Sequence, residues 1–501
     1  MEIFMNFSFF LANEEATKLF AQDLALALKP GDLVTLQGDL GAGKSTLARA
    51  IIHTLANDDN LEVPSPTFTL VQNYKLPQFE VIHADLYRLS MAEEIDELGL
   101  HEAREQSILL IEWPEKGADS LGPTTFAISL QHQDCGRHIT ITAATHDIER
   151  LQQSLAIRTF LTTHGRGHVH RRFLASDASA RSYELLHSDH HQEIFMNASI
   201  MQMAQKTDPA FAEKMHLATD IRQFVGINQI ILENGFSAPH IFVEDLEKGF
   251  LILEDLGREG ILDQTGNPIE ERYIACSELL ATFHQKSWVF KKQFATFSLQ
   301  IPCYDHQSMQ AELALLLDWY IPFQQQKTLN EEQRKAFFTC WQPYLDMLIE
   351  GENTLVMRDY HSPNILWRAN KEGVARIGLI DFQDGLKGPT AYDLVSLAQD
   401  ARLYISPELE MKIFNAYCHA RHKAPQPFDE NELRKLYALA GAQRVSKILG
   451  IFVQLHQQYG KSSYLKHLPH MQDYLARNLS HPILAPLKSF YQEIGILVET
   501  T

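Results

Sequence analysis

The chain has 501 residues, of which 45% are hydrophobic and 21% charged, and its formal net charge is −19. At roughly 100–200 residues per domain this length predicts two to four domains, and the composition is that of a folded globular protein rather than a disordered one. Residues 1–150 carry 10 Lys/Arg against 23 Asp/Glu, net −13, and the remainder nets −6. Because both parts are acidic, neither is expected to bind DNA or RNA through bulk electrostatic attraction.

The five cysteines are the next constraint. None lies in a CxxC pair or at a spacing typical of zinc ligands, and an odd number cannot all pair. We therefore expect a reducing, cytoplasmic location without a disulfide framework or a zinc module. No run approaches about 18 consecutive apolar residues, so the sequence predicts no membrane span. The apolar start of the chain lacks a basic signal-peptide region and favours a first strand.

The first part of the chain alternates between strand and helix patterns. Asn13 is placed to cap a helix over 14–28, whose first turn carries two acids. A turn, a strand, a helix and four further strands are then expected, at 29–32, 33–37, 45–55, 80–84, 108–112, 126–130 and 138–142. This alternation predicts an α/β sheet with crossover connections.

A different pattern follows residue 148. A helix is predicted over 148–162, a β-rich stretch begins near Arg171, and long helical patterns dominate from about Arg272. Two strands, at 354–358 and 375–381, interrupt those helices. We therefore predict one domain before about residue 148 and a two-lobed unit after it.

A glycine loop lies between the predicted strand and helix of the first domain. Residues 38–45 read Gly-Asp-Leu-Gly-Ala-Gly-Lys-Ser and match G-x-x-x-x-G-K-[ST], the pattern of phosphate-binding loops. Backbone amides of such a loop surround phosphate oxygens at the positive end of the following helix. Lys44 is expected to neutralise β/γ charge and Ser45 to bind Mg²⁺. The predicted nucleotide-binding residues of the loop are Gly38, Gly41, Gly43, Lys44, Ser45 and Thr46.

Hydrolysis of a nucleotide needs further groups beside the phosphate loop. Asp85 ends a predicted strand and suits the metal side of the site, and Glu112 ends another and suits the orientation of water. Thr67, in the loop 65–69, is placed to sense the γ-phosphate through Mg²⁺. Taken alone, each acid is more often a helix cap or a solvated side chain than a catalytic group.

These residues recur in a known family. The segments 38–46, 65–68, 83–88 and 111–115 resemble, in order and spacing, TsaE, the small ATPase of the bacterial threonylcarbamoyladenosine tRNA-modification system. The resemblance covers about residues 6–145 and implies a P-loop NTPase fold with ATP and Mg²⁺. It implies that Thr67 is a switch residue, that Asp85 lies near the metal and that Glu112 is catalytic. It also implies the TsaB–TsaD complex as partner, through which tRNA would be reached indirectly.

A second constellation lies near the C-terminus. Asp359 follows a predicted apolar strand, Asn364 comes five residues later, and Asp381 ends the next apolar strand. This is the layout of kinase-type phosphotransferases, in which the first Asp accepts the proton of the attacking hydroxyl. Asn364 and Asp381 would then hold Mg²⁺, which prefers oxygen ligands. The alternative is two buried hairpins whose polar residues form turns.

Two upstream segments complete the predicted kinase. Residues 177–183 join two predicted strands at the place of a phosphate-covering loop, although they lack glycine, and residues 251–257 are typical of the hinge that would contact adenine. The usual lysine of the third strand is missing from 192–197. We expect Arg181 to neutralise phosphate charge instead, or else to be a solvated residue at the end of a strand.

The C-terminal part resembles the aminoglycoside-phosphotransferase superfamily and, within it, the AmgK group of sugar anomeric kinases in cell-wall recycling. The resemblance covers about residues 150–495 and rests on the segments 177–183, 253–257, 358–364, 380–384, 388–394, 399–402 and 443–452. It implies an α+β bilobal protein-kinase-like fold and transfer of phosphate from ATP to the 1-hydroxyl of N-acetylmuramate or N-acetylglucosamine. Gln383 replaces the usual glycine of the metal motif, as the AmgK group does.

The sequence thus predicts a fusion of an ATPase domain, 1–148, with a kinase, 149–501, whose lobes meet near residue 255. The acceptor of the kinase stays open, since another small alcohol or an amino sugar is compatible with the motifs. A non-catalytic nucleotide-binding module is the other alternative, because of the missing lysine. Arg402, Arg444 and Lys447 are candidates for binding the lactyl carboxylate of muramate or for surface salt bridges.

Overall fold

The computed structural model describes residues 3–89, 92–176, 181–188, 192–198 and 209–497. The chain divides into two compact units. The first comprises Met1–Ser176 and Ser182–Met196, and the second Asp177–Arg181 and Asn197–Thr501.

The first unit is built on a mixed sheet. Its strands are Phe4–Leu11 (β1), Leu33–Gln37 (β2), Val71–Lys75 (β3), Glu80–Asp85 (β4), Ser107–Glu112 (β5), Phe126–Gln133 (β6) and Gly136–Ala144 (β7). The strand order is β1-β7-β6-β2-β5-β4-β3. The four central strands, β6, β2, β5 and β4, are parallel. Strands β7 and β3 pair antiparallel with β6 and β4, and β1 pairs antiparallel with β7. The predicted α/β sheet is therefore confirmed.

Helices cover this sheet. They are Glu14–Ala25 (α1), Lys44–Ala56 (α2), Leu100–Ala103 (α3) and Thr145–Thr163 (α4). Asn13 caps α1 as predicted, since its Oδ1 accepts a hydrogen bond from the amide of Ala16 at 2.9 Å. The helix ends three residues earlier than predicted because the chain tightens there, with the amide of Leu28 donating to the carbonyl of Ala25.

The first unit also holds strands from beyond residue 148. They are His170–Ser176 (β8), Ser182–His187 (β9) and Gln192–Asn197 (β10), of which the last residue belongs to the second unit. Strands β8 and β9 pair antiparallel, with Arg171 opposite Leu186. The compact unit therefore extends past the residue at which the sequence predicts the first domain to end.

The second unit is mainly helical, as predicted. Its helices are Pro209–Lys214 (α5), Ile221–Glu233 (α6), Glu270–His284 (α7), His306–Leu315 (α8), Ile321–Gln325 (α9), Glu331–Glu350 (α10), Ala391–Ala398 (α11), Pro407–His422 (α12), Glu430–Tyr459 (α13), Leu468–Leu479 (α14) and Ala485–Glu493 (α15). Its strands are Ile241–Asp245 (β11), Phe250–Glu254 (β12), Lys291–Gln293 (β13), Ser298–Gln300 (β14), Asn353–Val356 (β15), Ile365–Trp367 (β16), Ile377–Leu379 (β17) and Leu386–Pro389 (β18). These strands form antiparallel pairs: β11 with β12, β13 with β14, β15 with β18, and β16 with β17.

Helix α13 runs through the core of the second unit. By length and composition it is apolar enough to cross a membrane, but 83% of its most apolar stretch is buried within the unit. At Gly450 the helix passes so close to Leu315 that a Cβ atom would lie 2.3 Å from the Leu315 backbone. Such close packing is typical of a core helix, and α13 carries Arg444 and Lys447 toward the centre of the unit.

Candidate active sites

The glycine loop connects β2 to α2 in a conformation that needs its glycines. Gly38, Gly41 and Gly43 have φ angles of +149°, +80° and +104°, which side chains other than hydrogen rarely tolerate. A Cβ atom on Gly38 would also lie 2.4 Å from the carbonyl oxygen of Leu130. The loop therefore turns tightly against β6 and leads directly into the N-terminus of α2.

Lys44 lies folded against its own loop. Its Nζ donates to the carbonyl oxygens of Gly38 at 2.7 Å and Asp39 at 3.0 Å, and it lies 3.8 Å from the centre of the Trp113 ring. Burial lowers the pKa of this amine. Trp113 itself has a φ of +58°, an unusual value that marks a constrained residue at the edge of the site.

Ser45 and Glu112 are hydrogen-bonded to each other. The Ser45 hydroxyl donates to Glu112 Oε2 at 3.0 Å, and the other carboxylate oxygen contacts His83 Nε2 at 2.9 Å. Both Glu112 and His83 are buried. His83 therefore fixes the orientation of the acid that the sequence predicts to be catalytic. The sequence predicted no role for His83, although His83 opens the segment 83–88 that resembles TsaE.

Thr67 and Asp85 form a second pair beside the first. The Thr67 hydroxyl donates to Asp85 Oδ2 at 2.8 Å, and the other oxygen of Asp85 accepts from the amide of Tyr87 at 2.9 Å. Asp85 and Glu112 are direct partners in the parallel pairing of β4 with β5. The sheet register thus brings together two acids that are distant in the sequence.

A cavity of about 240 Å³ collects these groups. Its lining includes Gly41, Gly43, Lys44, Ser45, Thr46, Thr67, Asp85 and Glu112. It also includes Arg137, which the sequence did not predict; Arg137 Nε donates to the carbonyl of Ala42 at 2.7 Å. Arg137 reaches the loop because β7 pairs with β6, the neighbour of β2, and this adjacency is not visible in any local motif.

In the second unit, Asp359 lies in a loop that a buried acid braces. Both Asp393 oxygens accept backbone hydrogen bonds, from the amides of Met357 at 2.6 Å and Arg358 at 2.9 Å. Burial raises the pKa of Asp393 to about 7. Arg358 has a φ of +67°, so the loop is held in a strained turn immediately before Asp359.

The three predicted kinase residues lie together. Asn364 Nδ2 donates to the carbonyl of Asp359 at 3.0 Å and to Asp381 Oδ2 at 3.2 Å, and Gln383 Nε2 donates to Asp381 Oδ1 at 2.9 Å. Burial and the nearby Asp359 raise the pKa of Asp381 to about 6. Asp381 also has a φ of +60°. A constrained carboxylate with an asparagine side chain beside it offers oxygen ligands of the kind that a divalent cation prefers.

Several basic groups act on the carboxyl of Asp359. Burial acts to raise the pKa of this carboxyl, but basic groups that include His361, Lys447 and Arg358 outweigh it and hold the pKa below its usual value. Asp359 is therefore ionised at neutral pH, as a group that accepts a proton must be.

Arg181 lies at the metal side of this site. Its Nη1 donates to Asp381 Oδ1 at 3.4 Å, and the side chain is buried. The rest of the predicted phosphate-covering loop, 177–180, lies outside the described residues. The predicted hinge follows β12, where Asp255 Oδ1 accepts from the amide of Gly257 at 2.9 Å.

A buried acid missed by the sequence reasoning lies behind the Asp359 loop. Glu312 is 0% exposed and accepts from Arg358 at 2.5 Å, Lys447 at 2.9 Å and Gln443 at 2.8 Å, as well as from Tyr304. These donors lower the pKa of Glu312 to about 2, against the effect of burial.

Known families match both halves of the chain. The model for threonylcarbamoyl adenosine biosynthesis protein TsaE matches residues 11–139, and the model for the phosphotransferase enzyme family, APH, matches residues 170–436. A tRNA threonylcarbamoyladenosine biosynthesis protein TsaE from Rickettsia conorii is 41% identical over 145 residues, which are 29% of this chain and 82% of that protein. The chain belongs to the TsaE family and to the phosphotransferase enzyme family.

Relatives of the phosphotransferase part include sugar kinases. An N-acetylmuramate/N-acetylglucosamine kinase from Caulobacter vibrioides is 28% identical over 362 residues, 70% of this chain and 98% of that protein. One from Pseudomonas aeruginosa is 31% identical over 277 residues, 54% of this chain and 76% of that protein. The TsaE and phosphotransferase regions follow one another, so the predicted fusion is confirmed, and the protein is an enzyme that uses ATP and Mg²⁺.

The donor groups present fit these cofactors. Within the described ranges no group of three or more His, Cys, Asp and Glu side chains is arranged to hold a metal by itself. Each site instead offers carboxylates together with a hydroxyl or an amide oxygen, as Ser45 with Asp85 and Asn364 with Asp381. Mg²⁺ is commonly held in this way, by one or two carboxylates together with nucleotide phosphates.

Proposed function

We propose that the TsaE domain, 1–148, is an ATPase that supports threonylcarbamoyladenosine modification of tRNA together with a TsaB–TsaD complex. The observation that carries this is the single cavity lined by the phosphate loop, Thr67, Asp85 and Glu112. Lys44 and Ser45 would hold Mg-ATP, and Glu112, oriented by His83, would position water. With 23 Asp/Glu against 10 Lys/Arg over residues 1–150, tRNA is expected to contact the partners.

We further propose that residues 149–501 form a kinase that phosphorylates the anomeric hydroxyl of N-acetylmuramate or N-acetylglucosamine in cell-wall recycling. The arrangement of Asp359, Asn364 and Asp381 supports this. Asp359 would accept the proton of the sugar hydroxyl. Asn364 and Asp381 would hold Mg²⁺, and Arg181 would supply the positive charge that the missing lysine provides elsewhere. With these two activities, we also propose a cytoplasmic location.

The sequence relatives favour this acceptor over an aminoglycoside or choline, because those that match this part of the chain include N-acetylmuramate/N-acetylglucosamine kinases at 28% and 31% identity. A non-catalytic module is also disfavoured, because the base and both metal-binding side chains are present and hydrogen-bonded to one another.

Arg402 is our candidate for binding the lactyl carboxylate of N-acetylmuramate. Lys447 already donates to Glu312, and Arg444 is buried and donates to the carbonyl of Gln399 at 3.2 Å. Arg402 is exposed, and its amide shares the carboxylate of Asp400 with the amide of Ser362 in the catalytic loop. It therefore lies beside that loop with its guanidinium accessible to an anion.

The direct experiment uses the full chain carrying Lys44→Ala, so that the TsaE domain contributes little ATP turnover. The protein is incubated with Mg-ATP and each sugar, and sugar 1-phosphate is measured by phosphorus NMR. We expect product from at least one of the two sugars. Product from an aminoglycoside or choline, and from neither sugar, would contradict the assignment.

A further inference from the structure

Arg137 reaches the phosphate loop of the TsaE domain from another part of the sheet. It lies on β7, directly opposite His132 of β6, and the two side chains contact consecutive carbonyls of the loop. His132 Nε2 donates to the carbonyl of Gly41 at 3.0 Å, and Arg137 Nε donates to that of Ala42 at 2.7 Å. The β6–β7 hairpin is therefore fixed to the loop just before Lys44.

The carbonyl of Ala42 shares a peptide group with the amide of Gly43. This peptide group is trans and planar, so the carbonyl and the amide point in opposite directions. Because Arg137 holds the carbonyl, the amide points away from Arg137. The side chain thus sets the direction of an amide in the part of the loop where backbone N–H groups bind phosphate oxygens.

This peptide group needs a partner outside the loop. Gly43 has a φ of +104°, and glycine adopts positive and negative φ about equally, so it does not by itself fix the orientation. Ala42 is 1% exposed, and a buried carbonyl without a donor costs free energy. The packing is also close, since a Cβ atom on Gly43 would lie 2.5 Å from Arg137 Nε. Arg137 therefore satisfies the carbonyl and selects one orientation of the peptide group.

We propose that Arg137 is a positioning residue for the phosphate loop, which points the Gly43 amide toward the phosphates of ATP. The β6–β7 hairpin then supports nucleotide binding as well as forming part of the sheet. Without this contact, only the fraction of molecules whose peptide group has the right orientation would bind the nucleotide. This rests on the proposed ATPase of the TsaE domain, but not on its partners in tRNA modification.

The test measures the dissociation constant of a non-hydrolysable ATP analogue with Mg²⁺ by isothermal titration. All variants are made in the full chain carrying Asp381→Ala, which removes a metal ligand of the kinase site. Arg137→Met removes the donor and should raise the dissociation constant at the TsaE site about tenfold. Arg137→Gln should stay within about twofold of the parent chain, because its amide nitrogen is as many bonds from Cα as Nε and can donate to Ala42.

Arg49→Met is the matched control. Arg49 Nε also donates to a backbone carbonyl, that of Val63 at 3.2 Å. Arg49 is however exposed on α2 and is not among the residues that line the nucleotide cavity. Its replacement should leave the dissociation constant unchanged.

Three results would overturn the proposal. Equal losses of affinity in Arg137→Met and Arg137→Gln would mean that the guanidinium charge matters rather than the hydrogen bond to Ala42. A lower melting temperature of Arg137→Met with an unchanged dissociation constant would mean a purely structural role. Binding that Lys44→Ala does not remove from the parent chain would count against the nucleotide site itself, so the ATPase proposal would fail together with this one.

Discussion

The two nucleotide sites of this chain obtain their geometry in different ways. In the TsaE domain the phosphate loop is shaped by its own glycines, and the acids Asp85 and Glu112 are brought together by the register of two adjacent strands. In the kinase the loop that carries Asp359 is held from outside, by Asp393 and by contacts of Arg358 with Glu312. The conformation of the phosphate loop is therefore set largely by residues within the loop, whereas that of the catalytic loop depends on buried charged side chains from distant helices.

The largest effect is expected on the rate of sugar phosphorylation, when the general base Asp359 is replaced. Asp359→Asn removes the proton acceptor without changing the shape of the loop, and the rate of sugar phosphorylation should fall about 10²–10⁴-fold. Mg-ATP binding should be nearly unchanged, because Asn364 and Asp381 are retained. Steady-state kinetics and isothermal titration measure the two quantities. Activity close to wild type would show that another group is the base.

Lys44→Ala tests the nucleotide site of the TsaE domain. Without the amine that neutralises phosphate charge, ATP hydrolysis by the TsaE domain and its support of threonylcarbamoyl-tRNA synthesis should fall about 10²–10³-fold. The assay supplies TsaB, TsaD and the threonylcarbamoyl donor. Sugar phosphorylation by the same protein is the internal control and should be retained. Normal tRNA modification by this variant would refute an ATP-dependent role of the domain.

Glu312→Gln tests the external support of the kinase loop. Because the pKa of Glu312 is about 2 in the folded protein against an ordinary 4.5, its carboxylate stabilises the fold above pH 4.5, and this contribution is lost as the pH falls toward 2. The variant should be less stable than wild type by about 3 kcal/mol at pH 7. The difference in free energy of unfolding between wild type and variant, measured by urea unfolding, should shrink only below pH 4.5.

The control for this charge change is Glu270→Gln. Glu270 pairs with Lys412 on the surface, where both side chains are about half exposed. Surface pairs contribute about 0–1 kcal/mol, so the free energy of unfolding should change little. Equal losses in the two variants would mean that Glu312 has no special role behind the loop.

The smallest effect is expected on the binding of the sugar acceptor. Arg402→Ala should raise the KM for N-acetylmuramate about tenfold, the loss of one charged hydrogen bond, and leave the KM for N-acetylglucosamine unchanged, since that sugar lacks the carboxylate. Steady-state kinetics on the two sugars in parallel decide this. An equal rise for both would place Arg402 in a general structural role.

The sequence predicts the local features of the molecule well. The phosphate loop, the strand ends at Asp85 and Glu112 and the cap at Asn13 follow from patterns within a few residues. The strand expected over 375–381 is shorter, Ile377–Leu379, because Gly373–Arg376 forms a turn before it and Asp381 adopts a positive φ after it.

Long-range contacts are what the sequence could not reveal. Glu312 meets Arg358 across 46 residues and Lys447 across 135, and Arg171 meets Asp23 across 148. Glu312, Arg171 and Asp23 stand in no motif, and an isolated charged residue is normally expected at the surface. Their burial depends on helices packing around them, which no local pattern encodes.

The central claim is that one chain carries two separate Mg-nucleotide sites. Isothermal titration of the full chain with a non-hydrolysable ATP analogue and Mg²⁺ tests this directly. We predict two molecules bound per chain in the wild type, one in Lys44→Ala and two in Asp359→Asn. A single bound nucleotide in the wild type, or loss of all binding in Lys44→Ala, would contradict the account.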